Sequence, residues 1–295
     1  WISSLAIIKE DIRSFICRKV VVSSENSLLY IHQGEMAVIR QHTNERSIGK
    51  PTEKRLPKFL GSDDATSCFI VVISSEKICS IVHLDCEQRV KSFFNILKRY
   101  EGEIKEGIFT VHIVGGFPDS GGSSTETCRA ILTALLSATN VYHLGVFCVG
   151  DNNTHLLPAQ FGPSSKLVEL PVVLGVLFDR TKKELFPASF TWAARGPLPA
   201  LRLSRLSHAL SFTEAIEIFD TEKGLMIVKP LTYIRLPGRD LRPLTFENIR
   251  NTSTTPDQEP LTYFEGHYAT NELALRYPDP MKCWFTNGAL LFELR

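Results

Sequence analysis

The chain has 295 residues, of which 43% are hydrophobic and 22% are charged, and its formal net charge is +1. These values are typical of a globular protein with a substantial core. They give no electrostatic reason to expect binding to nucleic acid or to an anionic membrane. No apolar run approaches the roughly 20 residues that span a bilayer. The chain begins with Trp1 rather than Met, so a preceding signal or transit peptide is not excluded.

The cysteines are odd in number and include no Cys-x-x-Cys pair. Several lie inside apolar runs, where a free thiol packs as a small hydrophobic group. This pattern favours a reducing compartment over a disulfide framework. It also argues against a structural zinc site, which needs closely spaced ligands. The seven are Cys17, Cys68, Cys79, Cys86, Cys128, Cys148 and Cys283.

Hydrophobic periodicity predicts strands alternating with helices early in the chain, and hairpins both early and late. This order indicates an α+β fold, with helices layered on a mixed, largely antiparallel sheet. We expect one domain over residues 1–295, with a polar loop at 41–58. A Ser123–Glu126 capping box is expected before the second helix. Predicted strands cover 68–73, 78–83, 109–114, 141–149, 172–178, 185–190, 217–221, 225–228 and 289–294, and predicted helices cover 87–100, 127–137 and 262–276.

The first hairpin gives the sharpest inference about chemistry. If Ser74 to Lys77 form the loop, His83 lies directly opposite Cys68, with Cβ atoms about 4.5–5.5 Å apart. A thiol and an imidazole at that separation form a nucleophile and its base. A cysteine that begins a strand is more often a core residue, and a register slip of one residue moves His83 to the other face. The pattern alone therefore leaves both interpretations open.

Polar residues around this hairpin offer supporting roles. The segment 61–67 before Cys68 can present backbone N–H groups to an oxyanion, or can be an ordinary solvated turn. Asp63 and Asp64 can bind a cationic group or cap a turn. Asp85 shares a strand face with His83 and could orient it. Gly115-Gly116 follows a strand but matches neither a dinucleotide-binding motif nor a P-loop, so a tight turn is the better interpretation.

Several segments, taken in order, resemble one enzyme family. The sequence LGSDDATSC at residues 60–68 closely resembles the signature of the eukaryotic protein N-terminal asparagine amidohydrolases. VHIVGGF at 111–117 resembles a second motif of that family, and VHLD at 82–85 its histidine-containing strand. Matching landmarks also occur at 28–31, 35–38, 187–190, 219–221 and 251–256, so the resemblance covers nearly the whole chain.

The resemblance implies a fold and a set of site residues. The family looks like a distant relative of bacterial Cys–His glutamine deamidases, which have a layered α/β fold. It implies Cys68 as nucleophile, and by analogy with those deamidases His83 as base and Ser62 as the third partner. Selectivity for a free N-terminus requires a carboxylate that binds the α-ammonium, and Asp63, Asp64 and Glu35 are the candidates.

The expected reaction is hydrolysis of the side-chain amide of N-terminal Asn through a Cys68 thioester, with the pKa of the thiol lowered by His83. It needs neither metal nor cofactor. The expected partners are proteins or peptides that begin with Asn, and the new N-terminal Asp links the reaction to arginyltransferases and N-recognins in the cytoplasm or nucleus. Two alternatives remain: a related Gln or Asn deamidase, and an inactive module that binds peptide N-termini.

Overall fold

The chain folds mainly as short strands, because its apolar runs are brief and rich in the β-branched residues that favour extended backbone. The computed structural model describes residues 12–23, 27–40, 56–101, 108–118, 121–158, 167–197, 199, 202–203, 214–228, 231–233, 261–263, 283–286 and 289–293. The strands are β1 (Val20–Val22), β2 (Leu28–Tyr30), β3 (Glu35–Arg40), β4 (Phe59–Ser62), β5 (Phe69–Ser74), β6 (Ile78–Leu84), β7 (Ile108–Gly115), β8 (Val141–Val149), β9 (Thr154–Pro158), β10 (Leu167–Pro171), β11 (Val176–Asp179), β12 (Glu184–Phe190), β13 (Ile216–Glu217), β14 (Phe219–Asp220), β15 (Leu225–Val228), β16 (Leu231–Tyr233), β17 (Leu261–Tyr263), β18 (Cys283–Thr286) and β19 (Ala289–Glu293). Two α-helices are described over their full length, α1 (Glu87–Glu101) and α2 (Ser123–Leu136), and short 3-10 helices cover Gly150–Asn153 and Trp192–Arg195. The described residues 12–16, 199 and 202–203 are also helical.

Two mixed sheets carry most of the described structure. The larger has six strands in the order β13-β3-β6-β5-β7-β8, and the smaller has five in the order β1-β12-β11-β4-β2. In the larger sheet the pairs from β3 to β7 are antiparallel, whereas the edge strands β13 and β8 run parallel to their neighbours. The fold is therefore α+β with a mixed, largely antiparallel sheet, as the sequence predicts.

Alternation along β5 explains how the layers stack. Ile70 and Val72 belong to a core shared with residues of the smaller sheet, such as Leu60 and Phe178. Val71 and Ile73 face the other way and pack with apolar residues of the two helices. Because successive side chains of a strand point to opposite faces, the six-stranded sheet is buried on both sides. The molecule thus has three layers, helices on one side and the second sheet on the other.

The hairpin between β5 and β6 differs in register from its prediction. His83 lies opposite Ile70 rather than Cys68. The loop is shorter than expected, because the Ser75 N–H donates to the Ile78 carbonyl and the Ser75 hydroxyl accepts from the Lys77 and Ile78 N–H groups. A serine that bonds the next backbone amides tightens a turn in this way. The slip is two residues, so Cys68 and His83 stay on one face.

Three further predictions are corrected. The expected capping box is absent: α2 begins at Ser123 itself, and its N-cap is Gly122 with no side-chain cap bond. Only Thr262 and Tyr263 of the expected helix 262–276 are described, and they belong to the strand β17, which pairs with β16. The rest of that range lies outside the described residues. The strand expected at 172–178 begins only at Val176. The other strands and α1 fall within two residues of their predicted bounds.

In the described part of the chain, no helix is long and apolar enough to cross a membrane. Six cysteines there are free thiols: Cys17, Cys68, Cys79, Cys86, Cys128 and Cys148. The single domain over 1–295 stays a prediction. Most of the loop at 41–58 also stays a prediction, since residues 41–55 lie outside the described residues.

Candidate active site

Ser62 and His83 meet between the two sheets. Ser62 ends β4 of the smaller sheet, and His83 lies near the end of β6 of the larger one. The Ser62 Oγ is 2.9 Å from the His83 Nδ1. Both side chains are almost fully buried, with exposed fractions of 0% and 1%. The contact therefore needs both sheets in place.

The hydrogen bonds of Ser62 fix the tautomer of His83. The Ser62 hydroxyl donates its single proton to the Ile31 carbonyl, at 2.9 Å. Its contact with His83 must then run the other way, with Nδ1–H donating to the hydroxyl oxygen. The Nε2 of His83 consequently carries a lone pair, and it has no hydrogen-bond partner among the described residues. An imidazole held in this state can accept a proton at Nε2.

Cys68 immediately precedes β5 and lies on the same face as Ile70, the cross-strand partner of His83. Its thiol is buried, with 7% exposed. The Gly115-Gly116 turn holds its backbone: the Gly116 N–H donates to the Cys68 carbonyl at 2.7 Å. A Cβ on Gly115, whose φ is +119°, would lie 2.2 Å from that carbonyl oxygen. The two glycines thus form the turn expected from the sequence, and its close approach positions the cysteine.

Burial sets the charge states of this site. It raises the pKa of the Cys68 thiol to about 12, with a further rise from Asp85 and a smaller opposing effect of Arg89. It lowers the pKa of His83 to about 4, against the charges of Asp85 and Asp64. Because a low-dielectric environment disfavours the charged form of each group, the resting pair is a neutral thiol and a neutral imidazole. The expected lowering of the thiol pKa by His83 is wrong for this closed site.

The three carboxylates expected to bind an ammonium group all have arginine partners. Asp63 is buried and accepts from the Tyr30 hydroxyl, from the Phe190 N–H and from Arg195. Asp64 accepts from Arg195 at 2.5 Å, but 66% of its side chain is exposed and its φ is +62°.

Glu35 is the most enclosed of the three. Arg202 donates to both of its carboxylate oxygens, at 2.6–3.2 Å, and the His32 N–H donates to Oε2 at 2.9 Å. Arg202 also donates to the carbonyls of Tyr30, Arg195 and Pro197. It therefore joins β2 and β3 to the loop that carries Arg195.

Asp85 follows β6 and occupies the next pairing position, opposite Cys68, if the register from Phe69 and Leu84 continues. Its Oδ2 accepts from the Gln33 amide at 2.8 Å and from Arg89. It is not hydrogen-bonded to His83, so Ser62 rather than Asp85 orients the ring. The spacing of four residues between Asp85 and Arg89 was a visible signal for this ion pair.

Other partners carried less signal. Arg195 sits in a segment whose pattern indicates only a turn, and Arg202 has no motif around it. Tyr30 reads as an ordinary strand residue. In the described residues, no group of three His, Cys, Asp or Glu side chains is placed to hold a metal ion.

Comparison with known proteins defines first a class and then a family. The chain is a hydrolase acting on an amide, the class to which its relatives belong. More particularly, it belongs to the protein N-terminal asparagine amidohydrolase family, whose model matches residues 18–294. It is similar to the protein N-terminal asparagine amidohydrolases of Homo sapiens, with 28% identity over 90% of this chain and 81% of the relative, and of Mus musculus, with 27% identity over 90% and 81%. The Arabidopsis thaliana protein of the same name is 24% identical over 92% of this chain and 80% of its own length.

Proposed function

We propose that this chain hydrolyses the side-chain amide of an N-terminal asparagine in a protein or peptide, giving N-terminal aspartate and ammonia. Membership of the family, and the names of relatives that match over about 90% of the chain, support this substrate. The observation that carries the assignment to this site is the state of His83. Its Nδ1 is bound to Ser62 and its Nε2 is unpartnered among the described residues, on the face that carries Cys68.

In the proposed first step, the Cys68 sulfur attacks the carboxamide carbon while its proton passes to the Nε2 of His83. Transfer during attack suits a neutral pair, because a free thiolate is disfavoured by burial. His83 then returns the proton to the amide nitrogen, the carbon–nitrogen bond breaks and ammonia leaves. Water, deprotonated by His83, attacks the resulting thioester, and Cys68 departs as a thiol. These steps use no metal or cofactor.

The oxyanion of each tetrahedral intermediate requires backbone donors. The Ala65 and Thr66 N–H groups already donate to the carbonyls of Leu174 and Asp64, at 2.8 and 3.1 Å. We therefore assign the oxyanion to the N–H of Cys68, with Ser67 as the neighbouring donor.

The acidic residues contribute to substrate binding in different ways in this proposal. Asp64 is exposed and attracts the α-ammonium of an approaching substrate. Asp63 and Glu35 keep Arg195 and Arg202 in place, and so hold the wall of the site. An enzyme of this type supplies proteins with N-terminal Asp, a substrate for arginyltransferases that precede N-recognins. We place that role in the cytoplasm or nucleus.

The test uses the purified chain and three short peptides that differ only at the first residue: Asn, N-acetyl-Asn and Gln. We expect a mass gain of about 1 Da and stoichiometric ammonia from the free Asn peptide alone, as amide hydrolysis requires. Cys68→Ala should abolish turnover because it removes the nucleophile. Cys17→Ala, which changes an exposed thiol in the same way, is the matched control and should keep full activity.

Other outcomes separate the alternatives. Conversion of the Gln peptide or of internal amides would indicate a related deamidase. Binding of the free peptide without conversion would indicate an inactive recognition module. Full activity in Cys68→Ala would exclude Cys68 as the nucleophile.

A further inference from the structure

Asp85 has one carboxylate oxygen that is held and one that is not. Oδ2 accepts from Gln33 and Arg89. Oδ1 is buried and accepts no hydrogen bond of normal geometry from the described residues, and the thiol of the adjacent Cys86 also interacts with the carboxylate. A buried acceptor without a donor is destabilising, so such groups in folded proteins usually have a functional explanation. The two donors fix the carboxylate from one side and leave Oδ1 for a ligand.

The surroundings show that this arrangement is built rather than accidental. Arg89 lies against Gly34, where an added Cβ would come within 2.8 Å of the guanidinium carbon. The Gly34 N–H in turn donates to the His83 carbonyl at 2.8 Å. Gln33 donates to Asp85, and the next residue, Gly34, lies against Arg89 and donates to β6, the strand that carries His83. These two residues therefore connect the Asp85–Arg89 ion pair to that strand. Mobility of the Asp85 carboxylate is restricted by these contacts.

Asp85 is also close to the reacting groups. It follows His83 by two residues, one position beyond the end of β6, and alternate side chains of an extended segment point to the same side. Its charge also raises the pKa values of both Cys68 and His83. The Nε2 of His83 and the Oδ1 of Asp85 are thus two buried atoms, two residues apart along the chain, that have no hydrogen-bond partner among the described residues.

The chemistry of the substrate fits this arrangement. In an N-terminal asparagine, only Cβ and Cα separate the carboxamide carbon from the α-ammonium nitrogen. A carboxylate that binds the ammonium must consequently lie within a few ångströms of the attacking sulfur. Directly opposed positions on antiparallel strands have Cβ atoms about 4.5–5.5 Å apart, and Cys68 and Asp85 would be such a pair if the register of Phe69 and Leu84 extends by one residue.

We propose that Asp85 Oδ1 accepts a hydrogen bond from the α-ammonium of the substrate's first residue and determines the specificity for a free N-terminus. The proposal rests on the proposed function and adds the group that recognises the N-terminus. The buried carboxylates Asp63 and Glu35 have donors on both oxygens. Asp64 is exposed, where an ion pair contributes little, and so guides the ammonium without selecting it.

The experiment compares two substrates in wild type and in Asp85→Asn. One is a short peptide that begins with Asn; the other is the same peptide with a succinamoyl group in place of Asn, which keeps the carboxamide and lacks the α-amine. We expect Asp85→Asn to lower kcat/KM for the Asn peptide by about 100-fold or more, because a buried charge loses its partner. The succinamoyl peptide should change by less than about threefold.

Glu87→Gln is the matched control. It removes the same charge two residues away, from a side chain that is 47% exposed and paired with Lys91, and it should leave both rates unchanged. The proposal would be overturned if Asp85→Asn lowered kcat/KM equally for the two peptides. It would also be overturned if Asp85→Asn kept the preference for the Asn peptide over the succinamoyl peptide while Asp64→Asn lost it.

Two measurements keep the result interpretable. If Asp85→Asn does not fold, as thermal unfolding would show, Asp85→Ser provides a smaller neutral side chain for the same comparison. If wild type releases no ammonia from any peptide, the proposed function fails, and the affinities of the free and acetylated Asn peptides are measured by calorimetry. A preference for the free amine that is lost in the Asp85 variant would still support recognition by Asp85, and its absence in wild type would refute it.

Discussion

At the scale of single residues, one hydroxyl proton decides the state of the base. Because Ser62 donates to the Ile31 carbonyl, it can only accept from His83. A side chain that holds one nitrogen of an imidazole determines what the other nitrogen can do. The proposed base therefore depends on a serine from a different sheet.

This dependence predicts the behaviour of Ser62→Ala. The variant leaves the Nδ1 of His83 and the Ile31 carbonyl without their partner, so the ring loses its fixed orientation. We expect kcat/KM to fall by about 10–100-fold, mainly through kcat, and Ser62→Thr, which keeps a hydroxyl, to recover part of it. Steady-state kinetics on the Asn peptide measure both.

Ser80→Ala is the control for Ser62→Ala, since Ser80 is equally buried on β6 and its hydroxyl donates to the Ile73 carbonyl, at 3.4 Å. Its kcat should stay near that of wild type. Wild-type kcat in Ser62→Ala would mean that another group orients His83.

At the scale of elements, the tight turn after β5 and the glycine turn after β7 fix where Cys68 lies. The two-residue loop at Glu76-Lys77 sets the register of β6. The turn at Gly115-Gly116 then closes over the Cys68 carbonyl from the other neighbouring strand. The cysteine is therefore positioned by three adjacent strands, although it belongs to none of them.

Gly115→Ala tests this positioning. The new Cβ would collide with the Cys68 carbonyl, and the residue would keep a φ that L side chains rarely adopt. We expect the free energy of unfolding to fall by about 3 kcal/mol, with a loss of kcat in the protein that remains folded. Denaturant unfolding and kinetics check the two effects.

For comparison, Gly121→Ala introduces the same methyl group where nothing lies within 4 Å. It should change neither stability nor kcat appreciably. A Gly115→Ala protein as stable and active as wild type would show that the turn can relax without moving Cys68.

At the scale of the whole molecule, the packing of the two sheets buries histidines in their neutral form. His83 and His112 both lie in the space between the sheets, and burial lowers the pKa of each to about 4. His112 accepts from the Val146 N–H at 3.0 Å, and its ring lies 5.9 Å from that of Phe178 in the second sheet. Protonation of either ring therefore opposes the folded state.

This burial predicts the pH dependence of stability. Between about pH 6.5 and pH 4 the unfolded chain binds a proton at each of these histidines and the folded chain does not, so stability falls as the pH falls. Each should contribute a slope of about 1.4 kcal/mol per pH unit. His112→Gln should reduce the measured slope by that amount, as followed by urea unfolding at pH 7, 6 and 5.

His155→Gln, which changes an exposed histidine, should leave the slope as in wild type. An unchanged slope in His112→Gln would mean that His112 is solvated in solution.

The sequence by itself determined much of the local structure and indicated the candidate reacting residues. Runs rich in β-forming residues predicted β5 and β6, and alternation predicted β7. The helical spacing of Val90, Phe93 and Leu97 predicted α1, because all these signals depend only on neighbours along the chain. The ordered motifs indicated the family that the comparisons confirm. Roles for Cys68, His83 and Ser62 remain proposals.

Only the tertiary structure decided how these residues meet. The hairpin register depended on the Ser75 hydroxyl, and the helix expected after Thr262 begins as a strand because pairing with β16 overrides local propensity. The contact of Ser62 with His83 joins strands of two different sheets, and the exposure of Asp64 depends on the packing around it. Burial is the largest cause of the raised thiol pKa and of the lowered pKa of His83, and desolvation depends on everything that packs around a group.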